Sequence, residues 1–260
     1  MRLQMFQVDA FSNKTLNGNP AAVCPLDAWL ADDILLAVAG ENNLAETAYF
    51  VKTGEGVYKL RWFTPELEID LCGHATLATA WVIFEELGVA VPELRFNTRG
   101  GELRVVRNGD VLTMDFPATT PVPVDEYAEL LAALGVQSTE VLVARDYIVV
   151  LDSEEAVAAV SPDFAALEAC TTFGASVTAR GSDVDFVSRW FGPKIGVDED
   201  ITTGAAHAWL APYWAGQLGK QTLTAIQGGK RKGNVTCEVA GDRVLLSGNA
   251  STYLVGEIRI

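Results

Sequence analysis

The sequence predicts an α+β fold of two similar domains, each a curved, barrel-like, mostly antiparallel sheet around a central apolar helix. Three observations support this prediction. Short β-like runs dominate the chain, and two helical stretches, 74–87 and 205–218, carry almost no charge over their first ten residues. A helix without a charged face is buried nearly all round. The third observation is an internal repeat that places one such helix in each half.

The strands are predicted from short runs of β-branched, aromatic and alternating apolar residues. Most of these runs are bounded by Gly, Asn, Asp or Pro, which favour turns. The runs are Leu3–Val8, Ala48–Val51, Tyr58–Phe63, Leu103–Val106, Val111–Phe116, Val141–Val143, Ile148–Leu151, Val184–Phe191 and Val244–Leu246.

Four helices are predicted from apolar spacing and from the residues at their ends. Asp27 is a suitable N-cap for the first helix. A glycine follows each of the other three, at the position where helices commonly end in the left-handed conformation. The predicted helices are Asp27–Ala39, His74–Leu87 before Gly88, Asp125–Leu134 before Gly135, and Ala205–Leu218 before Gly219.

An ordered series of matches relates the two halves of the chain. The motif Arg61-Trp62-Phe63-x-Pro65 recurs as Arg189-Trp190-Phe191-x-Pro193 at an offset of 128. Later matches have an offset of 131, and they pair Gly73 with Gly204 and Leu87-Gly88 with Leu218-Gly219. Self-similarity of this kind indicates a duplicated fold.

The domain boundary is predicted in the proline-rich segment Pro117–Pro123, which has no periodicity and is the best linker candidate. This gives an N-terminal domain of residues 1–117 and a C-terminal domain of residues 118–260. The last strand can pack back on the first domain.

The composition excludes several classes of protein. The chain has 34 Asp and Glu against 19 Lys and Arg, which is a formal net charge of −15. A surface this acidic repels phosphate backbones and anionic bilayers, so we predict no nucleic-acid partner and no membrane partner. No apolar run approaches the ~18 residues of a membrane span. The first residues also lack the pattern of a signal peptide.

Cysteine and histidine usage favours a cofactor-free protein of the cytoplasm. The four cysteines lie far apart without a C-x-x-C motif, which is typical of a reducing compartment. Two histidines cannot build a His-rich metal site, and no zinc spacing, P-loop or G-x-G-x-x-G motif occurs. We therefore predict no metal and no cofactor.

Each half has a glycine at the start of its buried helix. The segments are Cys72-Gly73-His74-Ala75-Thr76 and Thr203-Gly204-Ala205-Ala206-His207. Free amides and the helix dipole bind carboxylates at such ends. For either segment alone, the alternative is a plain turn glycine beside a helix capped by its own side chains. Because the feature repeats, we favour anion binding in a cleft between the two domains.

Glu46 distinguishes the first half from the second. It lies in Asn43-Leu44-Ala45-Glu46-Thr47-Ala48-Tyr49-Phe50 at the start of an apolar strand, and Gly174 takes the matching position in the second half. A poorly solvated carboxylate at that place would be a usable general acid or base. The alternative is a strand-end glutamate in water or in a salt bridge.

Four ordered motifs resemble those of the phenazine-biosynthesis, PhzF-like isomerase family. They span residues 8 to about 210, and together they are far more specific than any one alone. The resemblance implies a fold like that of diaminopimelate epimerase, with two like domains, which agrees with the repeat. The motifs are Val8-Asp9-Ala10-Phe11 with Gly18-Asn19-Pro20-Ala21-Ala22-Val23, Asn43-Leu44-Ala45-Glu46-Thr47-Ala48, Cys72-Gly73-His74-Ala75-Thr76-Leu77, and Glu199-Asp200-x-x-Thr203-Gly204.

The resemblance also implies roles for individual residues. Glu46 would be the catalytic group that moves a proton between carbons of the substrate. His74 and Asp200 would line the same pocket and hold polar groups of the substrate; for each, the alternative is a helix N-cap. Asn19 would border the site. The remaining substrate-binding positions are the helix starts at Gly73, Ala75, Gly204 and Ala205.

Two departures from the family pattern bear on the substrate. The family commonly reads E-D-P-x-T-G-S-A, whereas this chain has Ile201 for the proline and Ala205 for the serine. Loss of that hydroxyl removes a polar contact and argues against the phenazine precursor, dihydro-hydroxyanthranilate, as the substrate. His207 either compensates for the lost hydroxyl or is a core or interface histidine.

The related epimerases use two cysteines, one from each half. Here Cys72 occupies the first position and Thr203 the second. An aliphatic hydroxyl is too weak an acid to replace a thiol without an activating base, so a two-thiol mechanism is disfavoured. Cys72 is then expected to be a small buried residue.

The resulting hypothesis is a cofactor-independent isomerase. Glu46 moves a proton on a small carboxylate substrate in the interdomain cleft, while His74 and Asp200 orient that substrate. A non-catalytic small-anion-binding protein on the same fold, or a lyase or hydrolase, stays open as the alternative. By analogy with the family, we expect a homodimer.

Overall fold

The structure, a computed structural model, describes all 260 residues and divides into two compact units. The first unit comprises residues Met1–Asp115 together with Ser247–Ile260, and the second comprises Phe116–Leu246. The final strand therefore belongs to the first unit. None of the helices combines the length and the apolar character that a membrane crossing requires.

The first unit is a mixed, mostly antiparallel sheet with one helix inside and one outside. Its elements are β1 (Arg2–Ala10), β2 (Asn19–Leu26), α1 (Asp32–Asn42), β3 (Glu46–Gly54), β4 (Val57–Phe63), β5 (Glu68–Ile69), α2 (Gly73–Trp81) with a π-helical turn (Val82–Glu86), β6 (Glu93–Thr98), β7 (Gly101–Asn108), β8 (Val111–Pro117) and, numbered last in the chain, β18 (Ala250–Arg259). The sheet runs β18–β1–β2–β3–β4–β6–β7–β8, and only the pairs β2–β3 and β4–β6 are parallel.

The second unit has the same plan with more helices on its outer side. Its elements are β9 (Val122–Pro123), α3 (Ala128–Leu134), β10 (Val141–Val143), β11 (Tyr147–Val150), α4 (Glu154–Ala159), α5 (Phe164–Cys170), β12 (Ala175–Arg180), β13 (Phe186–Gly192), β14 (Val197–Asp200), α6 (His207–Leu218), β15 (Thr222–Gln227), β16 (Gly233–Ala240) and β17 (Arg243–Gly248). Here β11–β12 and β13–β15 are the parallel pairs, and α6 connects the second of them as α2 connects β4 to β6. The matching order of strands extends the repeat found in the sequence.

The two central helices are apolar because most of α2 and the first half of α6 are buried. Every residue of α2 from Gly73 to Ala80 is buried. Its threonines are tolerated there because their hydroxyls donate to helix carbonyls, Thr76 to Cys72 O at 2.5 Å and Thr79 to Ala75 O at 2.7 Å. Helix α6 buries its first turns in the same way.

An arginine paired with a glutamate precedes the central helix in each unit. The Arg61 side chain forms a two-point pair with Glu68, at 2.8 and 2.7 Å. Arg189 forms the matching pair with Glu199, at 2.8 Å for both contacts. The repeated arginine of the R-W-F motif therefore ties strands β4 and β13 to the segments that lead into α2 and α6.

Two predicted helix starts are wrong. Helix α1 begins at Asp32 rather than Asp27, and its N-cap residue, Ala31, has no side chain that could cap it. Asp32 and Asp33 lie in the first turn, where their negative carboxylates interact favourably with the positive end of the helix dipole. Helix α3 begins at Ala128, three residues later than predicted, and it ends as expected at a left-handed Gly135.

The segment Pro117–Pro123 is not a free linker. The amides of Ala118 and Thr119 donate to Asp242 O at 2.8 Å and to Ala208 O at 3.0 Å. Its last two residues form β9, which pairs with β10. Proline-rich composition identified a segment without periodicity, but its backbone groups are fixed by residues distant in the sequence.

Candidate active site

Glu46 is the first residue of β3 and is almost fully buried, with 6% of its surface exposed. The chain turns into this strand at Asn43, which ends α1 in the left-handed conformation at φ 49°. Strand β3 then runs parallel to β2, with Glu46 opposite Ala21. The carboxylate therefore lies at the start of an interior strand of the sheet, away from open water.

The His74 imidazole lies beside this carboxylate. His74 is the second residue of α2, it is 1% exposed, and its Nε2 atom is 2.9 Å from Oε2 of Glu46. The two atoms are within ion-pair distance, and neither makes a further hydrogen bond within the protein. A buried carboxylate and imidazole that meet each other and little else have capacity left to bind polar groups of a ligand.

The second nitrogen of His74 contacts a thiol. Cys72 Sγ lies 3.6 Å from Nδ1, so the order of groups is thiol, imidazole, carboxylate. Cys72 is buried as the sequence predicted, but this contact was missed. The only signal for it was the C-x-H spacing across a helix start.

The charges of this trio follow from burial and proximity. Burial by itself would lower the pKa of His74, but the neighbouring Cys72 and Glu46 side chains outweigh it and raise that pKa well above its ordinary value. Burial raises the pKa of the Cys72 thiol to about 11, so the thiol is neutral at pH 7. The Glu46 carboxylate is therefore the negative charge that favours the protonated imidazole.

The start of α2 also offers backbone donors that bond to no helix carbonyl. The N-cap residue is Cys72, whose side chain makes no capping hydrogen bond, and the first amide that bonds to a helix carbonyl is that of Thr76. The amides of Gly73, His74 and Ala75 precede it. At the positive end of the helix dipole, such amides bind a carboxylate. His74 itself does not cap the helix.

In the second unit, Asp200 is held by a polar network. Its Oδ2 atom accepts a hydrogen bond of 2.6 Å from the Thr203 hydroxyl. The Gln227 amide group donates to Asp200 O at 3.1 Å and to the Thr203 hydroxyl at 2.9 Å. The Thr203 hydroxyl is thus engaged in holding a carboxylate. Gln227 was missed because it reaches this place only through the β13–β15 pairing.

The glycine-led turn of the second unit is a short 3₁₀ helix, Gly204–Ala206, that runs into α6. Thr203 is its N-cap residue and makes no side-chain cap. Gly204 and Ala205 are buried.

The alternative role predicted for Asp200, a helix N-cap, is not observed, because the N-cap residue of this turn is Thr203.

His207 is a core histidine. It is fully buried, its ring lies 5.8 Å from that of Phe186, and its Nδ1 atom is 3.0 Å from Thr203 O. Burial lowers the pKa of His207 to about 4, so the ring is neutral at pH 7 and Nδ1–H donates to the carbonyl. This favours the core role over compensation for the missing serine.

The buried His207 predicts a specific pH dependence of stability. Its pKa is near 6.5 when unfolded and about 4 when folded, so the unfolded chain binds more protons between these values. Stability contributed by this residue is complete above pH 6.5 and is lost as the pH falls toward 4. From pH 7 to pH 5 the loss is about 2 kcal/mol.

Urea unfolding of the wild type and of His207→Gln checks this at pH 7 and pH 5. The variant should show a smaller loss of stability, by about the same 2 kcal/mol. Since both proteins keep His74, its opposite dependence cancels. Equal losses in the two proteins would refute the assignment.

One cluster has metal-binding residue types. The candidate ligand atoms of Glu46, Cys72 and His74 lie within 4.8 Å of one another. However, the thiol flanks Nδ1 and the carboxylate flanks Nε2, on opposite sides of the ring. One ion takes one nitrogen of an imidazole, so in this arrangement it cannot bind both neighbours as well. The cluster fits a chain of proton-carrying groups better than a metal centre.

Asn19 lies near Glu46 in the same sheet. It is the first residue of β2, it is fully buried, and Ala21, two positions along that strand, pairs with Glu46. Gly18 before it has φ +67°, and a side chain there would meet Ala10 O at 2.3 Å. The glycine is therefore required for the chain to enter β2.

Comparison with known proteins gives a consistent result. A family model described as phenazine biosynthesis-like protein (PhzC-PhzF) matches residues 8–256. An uncharacterized isomerase of Pseudomonas aeruginosa is 57% identical over 260 residues and covers 100% of both chains. A crystal structure of a PhzF-family phenazine biosynthesis protein from Enterococcus faecalis is 46% identical, covers 100% of both chains and has a TM-score of 0.96.

A more distant structure bears on the fold alone. A hydroxyproline epimerase from Agrobacterium vitis is 12% identical, with a TM-score of 0.59 over 99% of this chain and 92% of that chain. The predicted epimerase-like α+β fold is confirmed. The isomerase class is confirmed by the close relatives. Since the family model matches nearly the whole sequence, this chain belongs to the phenazine biosynthesis-like, PhzC-PhzF family.

Proposed function

We propose that this protein isomerises a small carboxylate-bearing substrate by moving one proton with Glu46. The observation that carries the proposal is the buried Glu46–His74 contact of 2.9 Å beside the start of α2. A carboxylate and an imidazole buried together have the residue types and the spacing of a proton-transfer site. The start of α2 next to them supplies backbone donors for an anion.

The substrate carboxylate binds at the start of α2. The amides of Gly73, His74 and Ala75 supply donors there, and the dipole of α2 favours the negative charge. The positive potential at this helix start allows a chain of net charge −15 to bind an anion. Binding at this point places the rest of the substrate next to the Glu46 carboxylate.

Glu46 then acts as the base and afterwards as the acid. It takes a proton from a carbon next to a carbonyl or double bond, and the electron pair of the broken C–H bond moves into that conjugated system. The protonated Glu46 exchanges its proton with solvent and then delivers a proton to another carbon, so the substrate gains and loses one proton each and its composition is unchanged. His74, whose raised pKa favours the protonated form, lies 2.9 Å from Glu46 and supplies a positive charge beside the reacting groups.

The remaining roles stay predictions based on the family resemblance. Asp200, with the amides of Gly204 and Ala205, is predicted to hold other polar groups of the same substrate, and Asn19 to border it. Ala205 has no hydroxyl, so the substrate is predicted to have no polar group at the position that the family serine would contact. We also propose that the enzyme is a cytoplasmic homodimer that uses no metal or cofactor.

Exchange of substrate hydrogen with solvent tests the proposed reaction. Small carboxylic acids that raise the melting temperature, and so bind the folded protein, are incubated with the enzyme in D₂O and followed by proton NMR. We expect one C–H signal of a true substrate to disappear as deuterium is incorporated. Ligands that bind without any enzyme-dependent exchange would identify a non-catalytic anion-binding protein instead.

A further inference from the structure

The second unit contains a cavity that the proposed reaction does not use. Its volume is about 610 Å³, within the range of small-molecule sites. It lies between α4, β13 and the loop that joins β15 to β16. We call residues 228–232 of that loop (Gly228-Gly229-Lys230-Arg231-Lys232) the basic loop. All five of its residues line the cavity.

The charge of this cavity is opposite to that of the chain. The formal net charge is −15, yet three of the 19 Lys and Arg residues follow one another in the basic loop. With Arg189, the lining carries four positive side chains against two negative ones, Glu154 and Glu199. Arg189 and Glu199 offset each other in a two-point pair, which leaves the three cations of the basic loop against Glu154. The cavity therefore attracts anions in a protein that otherwise repels them.

The two glycines of the basic loop keep the cavity open. Gly228 has φ +118°, and a side chain on it would meet Arg231 O at 2.2 Å, so only glycine permits this turn. A side chain on Gly229 would meet Glu199 Oε1 at 3.1 Å and cover the Arg189–Glu199 pair. The loop backbone thus lies against the buried ion pair and leaves it as the floor of the cavity.

The residues after the first glycine can receive an anion. Lys230 is exposed, and neither it nor Gly229 has a hydrogen bond or ion pair within the protein. Successive free amides in a glycine-rich loop, beside lysine and arginine side chains, are the arrangement that cradles phosphate oxygens. The lining also includes the apolar side chains of Val157, Val160 and Ile226.

We propose that this cavity binds a phosphorylated small molecule, with its phosphate on the basic loop and its apolar body against the valine and isoleucine wall. The site is separate from the proton-transfer site. Glu199 and Ile201 line the cavity, whereas Asp200 between them does not. The proposal therefore stands whether or not Glu46 is the catalytic group.

Isothermal titration calorimetry with phenyl phosphate as the probe tests the proposal. This molecule has the dianionic head and the apolar body that the cavity selects. We expect saturable, one-to-one binding that weakens as salt is added. Lys230→Glu should weaken it about tenfold or more, because the change replaces an attraction by a repulsion. Lys194→Glu makes the same charge change on an exposed lysine outside the cavity and should leave the affinity within about twofold.

Three results would overturn the proposal. The first is no saturable heat with the wild type up to roughly 1 mM probe. The second is equal weakening by the two variants, which would mean diffuse attraction and not a site. The third is equally tight binding of benzyl alcohol, which has the apolar body but no phosphate. Since Lys230 is exposed, its variant is expected to fold, and an unchanged melting temperature verifies this.

Discussion

Glu46→Gln is expected to reduce turnover by about 10²–10⁴ while leaving the fold intact. The amide has nearly the same shape as the carboxylate but cannot accept the substrate proton. The variant leaves no uncompensated charge in the interior. Without the Glu46 carboxylate, the pKa of His74 is no longer raised by that negative charge, so the imidazole becomes neutral. Steady-state rates on a substrate identified by hydrogen exchange measure the effect.

Glu41→Gln is the matched control. Glu41 is an exposed residue of α1, so the same chemical change there should leave the rate unchanged. Circular dichroism and the melting temperature verify that both variants are folded. A Glu46→Gln enzyme that turns over at the wild-type rate would remove Glu46 from the mechanism.

Arg189→Met is expected to cost roughly 2–3 kcal/mol of unfolding free energy, because it removes several charge-assisted hydrogen bonds of a mostly buried side chain. Arg189 is only 9% exposed. It donates to both oxygens of Glu199 and to Val160 O at 2.7 Å. Methionine fills much of the same space but leaves the carboxylate and the carbonyl without their donors.

Arg180→Met provides the comparison for this prediction. Arg180 is an exposed residue at the end of β12, and its loss should change stability by less than about 0.5 kcal/mol. Urea unfolding of both variants measures the difference. If Arg189→Met is as stable as Arg180→Met, the repeated arginine is not the tie between β13 and the segment that carries Asp200.

The architecture could be predicted because it depends largely on patterns of neighbouring residues, such as apolar stretches, a repeated motif and glycines at helix ends. The charge-free stretches after Gly73 and Gly204 are the buried central helices, and the R-W-F repeat marks matching strands in the two units. Helix ends at Gly135 and Gly219 were also predicted, because a left-handed residue there needs a glycine.

Other features depend on contacts that a local pattern does not contain. Strand β18 pairs with β1 across almost the full length of the chain, and β2 joins β3 in parallel. Neither pairing has a sequence signature. Helix α1 begins late because Asp27 precedes a non-helical segment whose Trp29 and Leu30 pack on the core.

The candidate site shows the same division. Motifs identified Glu46 and His74 as candidates, but only the folded chain brings their side chains to 2.9 Å. The role of Cys72 beside His74 and of Gln227 beside Asp200 depends on side-chain directions and on strand pairing. Residue identity therefore predicted which groups could react, and packing determines which groups they touch.

A crystal structure with a bound carboxylate inhibitor tests the central claim most directly, by the distances from the ligand to the start of α2 and to Glu46. We predict a carboxylate oxygen within about 3.2 Å of the amides of Gly73–Ala75. The reacting carbon should lie about 3–3.5 Å from Glu46 Oε2, the separation of a reactive complex. A ligand bound elsewhere, with Glu46 and His74 facing each other as before, would contradict the account.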